Sequence, residues 1–343
     1  MDAGIRDSSP TSIATRIDIM WIEFLTDYGM FLAKLATVVV LVGGTAAILF
    51  IFYMRMRAAG DERLEVRHLN EKYEHMQLML RSAILPRKAF KQAVKELKAK
   101  HKEAEKAESG AKRRIFVLRF NGDIRASEVA SLREEITALL TVASDGDEVV
   151  VILESAGGTV HGYGLAASQL RRIRDRSIRL TASVDKVAAS GGYMMACVAD
   201  RIIAAPFAVI GSIGVLAQLP NFNRFLKKHE IDFEELAAGK YKRTLSLFGE
   251  NTDEDRAKLR QELEETHELF KGFVREHRPA VDMDRIATGE HWYGRKALEL
   301  GLVDELRTSD DYLSAAARDA NIYEVACVRK KSLWERLFPP AIN

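Results

Sequence analysis

The chain of 343 residues is long enough for one large domain, or two smaller ones, with a substantial buried core. Its 51 lysines and arginines nearly balance 49 aspartates and glutamates, so the net charge of +2 makes no electrostatic case for a nucleic-acid partner. The two cysteines, Cys197 and Cys327, are too few for a disulfide framework. Without a CxxC or clustered His/Cys spacing the sequence offers no zinc site, and nothing in it calls for a cofactor.

Residues 35–54, "LATVVVLVGGTAAILFIFYM", run for 20 positions without a charge, about the length a helix needs to cross a hydrocarbon core. More than 30 residues precede the run, and Arg55 and Arg57 follow it, which favours an uncleaved anchor over a signal peptide. Arg55, Arg57, Arg63 and Arg67 outnumber Lys34 on the other flank, which places the bulk of the protein in the cytoplasm by the positive-inside rule.

Residues 60–114 are dense in charge and rich in helix formers. Leu69, Tyr73, Met76 and Leu80 recur at helical spacing and predict an amphipathic helix. A break follows near Pro86, then a solvated helix that frays near Gly110. The lysine-rich stretch from Lys88 to Lys106 carries acids as well and reads as a solvated face.

From Arg114 strands and helices alternate. "IFVLRF" (115–120), "EVVVIL" (148–153), "IRLTASV" (178–184) and then "DRIIAAP" read as strands, and residues 127–140 and 162–174 as amphipathic helices. This alternation predicts an α/β fold with a parallel sheet and covering helices, whose ligand site lies beyond the carboxyl ends of the strands. Further on, Thr252 or Asp253 caps a long amphipathic helix with Leu259, Leu263, Phe270 and Phe273 or Val274 on one face. Residues 294–306 give a helix ended by Gly301 and a final strand.

Two glycine pairs fall on that carboxyl rim: "ESAGG" (154–158) after one strand, and "AASGG" (188–192) after another. Acyl transfer needs a nucleophile, a base, and amide donors aimed at the oxygen that becomes negative. Ser190 is the candidate nucleophile, and the N–H groups of Gly157 and Gly191 could form the oxyanion hole. Either pair alone is equally well an ordinary turn; their placement on neighbouring strand ends is what favours chemistry.

The base is harder to find. Among eight histidines, His161 lies nearest a glycine turn but has no orienting acid in the sequence around it, and His267 and His277 sit in the long charged helix. A lysine can serve where desolvation lowers its pKa, and the candidates are Lys186, Lys240 and Lys242. "GKYKRT" (239–244) is short, flanked by glycine and apolar residues, and free of nearby acids.

With these residues in view the chain resembles the S49 signal-peptide-peptidase family, in its membrane-peptidase branch. The resemblance is carried by "VHGYGLAASQLRRIRD", "VDKVAASGGYMMACVAD", "IGSIGVLAQLPNFNRFLK", "GKYKRTL" and "TGEHWYG". It implies a ClpP/crotonase-like fold, a serine nucleophile at Ser190 and a lysine general base at Lys242. It also implies ring-like homo-oligomers in which the lysine can come from a neighbouring subunit, and a catalytic domain outside the cytoplasm, opposite to the arginine count. One departure is Ala156, where the family commonly has proline; it bears on turn rigidity more than on the amide of Gly157.

The expected organisation is an N-terminal flank (1–34), a transmembrane helix (35–54), a charged helical region (55–113), a peptidase domain (114–325) and a tail (326–343). The expected function is a serine endopeptidase held in a bacterial inner membrane and acting on apolar peptides such as signal-peptide remnants. Its partners would be peptide substrates, the lipid bilayer and copies of itself. The alternatives are a crotonase-like acyl-CoA enzyme, which would not need Ser190, and a non-catalytic membrane scaffold.

Overall fold

A strand buried on both faces reads as a near-continuous apolar run, and "VVVIL" (149–153) is such a run. In the computed structural model, which describes residues 10–58, 62–106, 113–239 and 241–329, Val149, Val150, Val151 and Leu153 are fully buried. Burial of each such side chain is worth roughly 2 kcal/mol of transfer free energy.

The elements run α1 (Pro10–Ala58), β1 (Glu62–His68), α2 (Leu69–Ile84), α3 (Arg87–Lys106), β2 (Arg114–Gly122), α4 (Val129–Leu139), β3 (Glu148–Ser155), α5 (Val160–Arg174), β4 (Arg179–Val184) and β5 (Val187–Ala189). They continue with α6 (Gly191–Ala196), β6 (Arg201–Ala204), β7 (Val209–Gly211), α7 (Asn223–Lys228), α8 (Asp253–His277), α9 (Met283–Ile286), β8 (His291–Tyr293), α10 (Gly294–Glu299), β9 (Glu305–Leu306), α11 (Ser309–Ala316) and β10 (Asn321–Arg329).

Two compact units divide the chain, one of residues 1–63 with 329–343 and one of residues 64–328. In the first, α1 contains the apolar window Tyr28–Ile51, whose mean hydropathy is 2.2 and none of which is buried. The window begins earlier than residue 35 because a single charge, Lys34, does not outweigh the apolar residues around it.

In the second unit the main sheet has the order β1-β10-β2-β3-β4-β6-β9, and every pairing from β10 to β9 is parallel. Successive residues of β3 serve opposite faces. Val149, Val151 and Leu153 pack with Leu132 and Ile136 of α4 and Tyr163 and Leu170 of α5, while Val150 and Ile152 pack with Leu69, Tyr312 and Leu313. The sheet is thus a middle layer between helices, the α/β architecture that the alternating pattern predicts.

Three segments differ from the sequence reading. Residues 62–68 form an edge strand rather than helix, because Leu64 and Val66 alternate with charged neighbours at the strand period. The strand after Gly301, β9, is not the last: α11 and β10 follow, and β10 inserts between β1 and β2. The short strands β5, β7 and β8, too brief to carry a period, form a branch in which β5 joins β3 and β7, and β7 joins β8 antiparallel. Gly110 lies outside the described residues.

The long helix α8 starts with a capping box between Thr252 and Asp255, as its sequence predicts, and its far end is pinned by charge. Arg278 donates to both carboxylate oxygens of Asp304, at 2.7 and 2.9 Å, and to the carbonyl of Gly301; Asp304 also accepts from the Ile202 amide of β6. Burial pushes the Asp304 carboxyl up, but the hydrogen bonds from Arg278 and Ile202 outweigh it and hold it below its ordinary value of 3.8. Asp304 therefore stabilises the fold above that value and loses its contribution as pH falls through the lowered one. Arg278→Met should cost about 1–2 kcal/mol at neutral pH. Thermal unfolding followed by circular dichroism should show the deficit shrinking in acid.

Candidate active site

The register of β3 against β5 builds the site. Ser155, the last residue of β3, pairs with Ala188, which brings the "SAGG" turn directly beside "AASGG". β5 pairs in turn with β7, and the Ser190 amide donates to the Gly211 carbonyl at 2.8 Å, so Ser212 arrives on the other side of Ser190. Three strand ends, each followed by small residues, meet at one point.

Ser190 sits between β5 and α6 with φ 51° and ψ −118°, a backbone conformation that L-residues rarely adopt. Such strain costs on the order of 1–3 kcal/mol and persists because the flanking strand and helix are both fixed. It turns the serine side chain out of the β5 direction, as in a strand-to-helix nucleophile elbow. The Ser190 hydroxyl makes no hydrogen bond to another described residue. Helix α6 behind it is fully buried from Gly191 to Ala196, and burial pushes the Cys197 thiol far up, so that cysteine is a packing group rather than a second nucleophile.

Both expected oxyanion donors lie at the serine. Gly157 has φ +91°, and a β-carbon there would fall 2.7 Å from the Gly191 nitrogen and 2.8 Å from the Ser190 Cβ; only glycine lets the two turns meet. A β-carbon on Gly191 would fall 2.3 Å from the Tyr163 ring. The Gly157 N–H donates to the Ser155 hydroxyl at 3.1 Å, a long bond that a developing oxyanion can outcompete.

A polar chain supports this turn. The Ser155 Oγ lies 2.5 Å from the Tyr163 hydroxyl, which donates to the Asp123 carbonyl at 2.8 Å. Burial holds the Tyr163 phenol above its ordinary range, so it is a neutral donor at working pH. One side chain therefore backs both donors, its ring against Gly191 and its hydroxyl against the partner of Gly157. Tyr163→Phe should lower kcat about tenfold with KM little changed and cost about 1 kcal/mol of stability. Steady-state kinetics and thermal unfolding on the same preparation check this.

A cleft of about 900 Å³ opens in front of Ser190, Gly157 and Gly191. Its walls include Ile124, Val160, Met194, Val215, Leu216 and Phe270, an apolar lining interrupted by Ser212, Thr266 and His267. Ser190, Gly157 and Gly191 are thus brought together. Lys242 is not: within one protomer it is exposed and lies outside this cleft. Lys186 makes an exposed ion pair with Glu154 at 2.8 Å, His161 is exposed and outside the cleft, and Lys240 lies outside the described residues.

Two polar residues of the cleft were passed over in the sequence. His267 lies on the same face of α8 as Leu263, Phe270 and Val274, a spacing that already placed it on the buried stripe. Its Nε2 donates to the Ile213 carbonyl at 3.2 Å, and no described carboxylate bonds its Nδ1, so it has no triad geometry toward Ser190. Ser212, with φ 53°, follows "AVIG" just as Ser190 follows "KVAA"; the repeated strand–small-residue signature was the available signal.

The chain is similar to known proteins over most of its length. The model of "Peptidase family S49 N-terminal" matches residues 23–170, and that of "Peptidase family S49" matches residues 172–323, which includes Ser190 and Lys242. The chain is 48% identical over 325 residues to "Probable protease SohB" of Haemophilus influenzae, covering 92% of each. It is 56% identical over 225 residues to the protein of that name from Buchnera aphidicola subsp. Acyrthosiphon pisum, covering 66% of this chain and 67% of the relative. To the Buchnera aphidicola subsp. Schlechtendalia chinensis protein it is 46% identical over 302 residues, covering 85% and 99%. With its two family domains in tandem and a serine strained at the head of a cleft, the chain belongs to peptidase family S49 and is a protease.

Proposed function

We propose that the protein is a serine endopeptidase, anchored in a bacterial inner membrane by the Tyr28–Ile51 helix, with Ser190 as nucleophile and Lys242 of a neighbouring copy as general base. The observation that carries this reading is Ser190, its backbone strained and its hydroxyl without a hydrogen bond to another described residue, between two glycine amides at the head of an apolar cleft.

The need for a neighbour follows from the arm that holds Lys242. The described residues of 216–251 contain only α7 as regular structure and close on themselves, the Asn221 side chain donating to the carbonyls of Ser246 and Gly249 and the Phe222 amide to Leu247. The arm exposes Leu216, Phe222, Phe225, Ile231, Leu236 and Tyr241, with Leu236 96% accessible. So many exposed apolar side chains on one short arm mark a surface that another protein covers, and a homo-oligomer covers it while delivering Lys242 to the next cleft.

In the assembled site Lys242, acting as general base, takes the Ser190 proton, and the alkoxide attacks the peptide carbonyl. The tetrahedral oxygen accepts from the Gly157 and Gly191 amides, the amine leaves with the proton, and water then resolves the acyl-enzyme. The apolar walls suit extended apolar peptides such as signal-peptide remnants or membrane-protein segments. The test is hydrolysis of an apolar peptide by the full chain in detergent: turnover is expected for the native sequence, and an equally active Ser190→Ala chain would refute the assignment.

A further inference from the structure

The hairpin of α2 and α3 carries a surface that the peptidase reaction does not use. Leu69 and Tyr73, near the start of α2, pack on the sheet, but the same stripe continues to Met76, Leu80 and Ile84, which are exposed. With Met79 these residues form an apolar tip, Leu80 being 65% and Ile84 76% accessible. Around the tip the charge has one sign. From His75 to Lys95, "HMQLMLRSAILPRKAFKQAVK", there is no acidic residue, while Arg81, Arg87, Lys88, Lys91 and Lys95 are all exposed. None of these five pairs with a carboxylate among the described residues, although ion pairs are common elsewhere on the surface.

We propose that this hairpin tip docks on the surface of an anionic lipid bilayer, Met79, Leu80 and Ile84 entering the headgroup boundary while the five cations meet lipid phosphates. Exposed apolar residues ringed by unpaired cations are the composition of an interfacial anchor, and charge complementarity selects an anionic bilayer over a second copy of this chain. A second copy would bring its own five cations against these. The proposal rests on the anchored reading above, since the Tyr28–Ile51 helix keeps the hairpin at high local concentration near the bilayer. The second contact restrains the catalytic unit beside the membrane, where apolar peptides are released.

The test uses the full chain in a Cys327→Ser background with Ile84→Cys labelled by an environment-sensitive fluorophore, Cys197 being buried. It is reconstituted in vesicles of phosphatidylcholine alone or mixed with phosphatidylglycerol. Docking predicts blue-shifted emission, quenched by brominated acyl chains, in the phosphatidylglycerol vesicles. Adding Arg87→Glu, Lys88→Glu and Lys91→Glu should weaken the docked fraction more than about tenfold, and so should high salt. Water-like emission in anionic vesicles overturns the proposal. So does a blue shift that lipid bromine fails to quench and that grows with protein density, which would assign the tip to a second copy. Alkaline carbonate separates this from the anchor: protein washed off the vesicles refutes the membrane span, whereas retained protein with a water-exposed probe refutes only the docked hairpin.

Discussion

Hetero-oligomers assembled from Ser190→Ala and Lys242→Ala chains should hydrolyse peptide although neither parent does. Removing the nucleophile or the base should each cost about 10³-fold or more in kcat, and the two losses should not add, since the groups act as one unit. In one protomer Ser190 faces a cleft whose walls exclude Lys242, which lies exposed on an apolar arm. If each site takes Ser190 from one chain and Lys242 from its neighbour, random mixing leaves both groups intact in about one site in four, so activity should return to about a quarter of the native level. Differently tagged chains, co-expressed and purified through both tags, give the needed species. Sites built within single chains would leave every site of the mixture broken. A mixture as inactive as its parents, with both tags present, would therefore eliminate the shared site. Lys242→Arg should be as inactive as Lys242→Ala, because a guanidinium keeps its proton.

The sheet and half of the candidate site could be read from the chain because local pattern decides them. The uninterrupted run in β3 requires cover on both faces, and the glycines at 157 and 191 stand where two turns must touch. What the sequence withheld was set by pairings between distant residues. That Ser155 pairs with Ala188, and Ala189 with Gly211, is a matter of register, and strands of three residues have no period from which register can be inferred. Ser212 therefore reaches the cleft through register, which its strand–small-residue signature alone does not give. Tyr163 reads as one more core aromatic of α5 until its hydroxyl is seen at Ser155. His267 shows the opposite failure: its spacing put it on the apolar face of α8, but its place in a long charged helix set it aside as a base. Lys242 was reached through resemblance, and its spacing could not place it because it lies on an exposed arm, outside the cleft of its own chain.

Gly157→Ala should cost catalysis far more than it costs folding. Gly157 is only partly buried, so the added methyl meets no core side chain, but it falls 2.7 Å from the Gly191 nitrogen and 2.8 Å from the Ser190 Cβ, in the space between the two donors. The φ of +91° adds backbone strain of about 1–3 kcal/mol, and the turn must shift to relieve it. Loss of one oxyanion donor costs on the order of 10²–10³ in kcat. Gly191→Ala strikes the same hole from the other side. Its methyl would lie 2.3 Å from the Tyr163 ring, which is fully buried and held by its hydroxyl at Asp123, so the clash cannot be relieved by a side-chain rotation. Overpacking of this kind costs about 1–3 kcal/mol, and thermal unfolding should show it. Both variants should be folded with a lowered Tm, and both should lose far more activity than that destabilisation explains. A Gly157→Ala chain that keeps more than about half of native kcat would show that its amide does not hold the oxyanion, and the second donor would then have to be sought elsewhere on the "SAGG" turn.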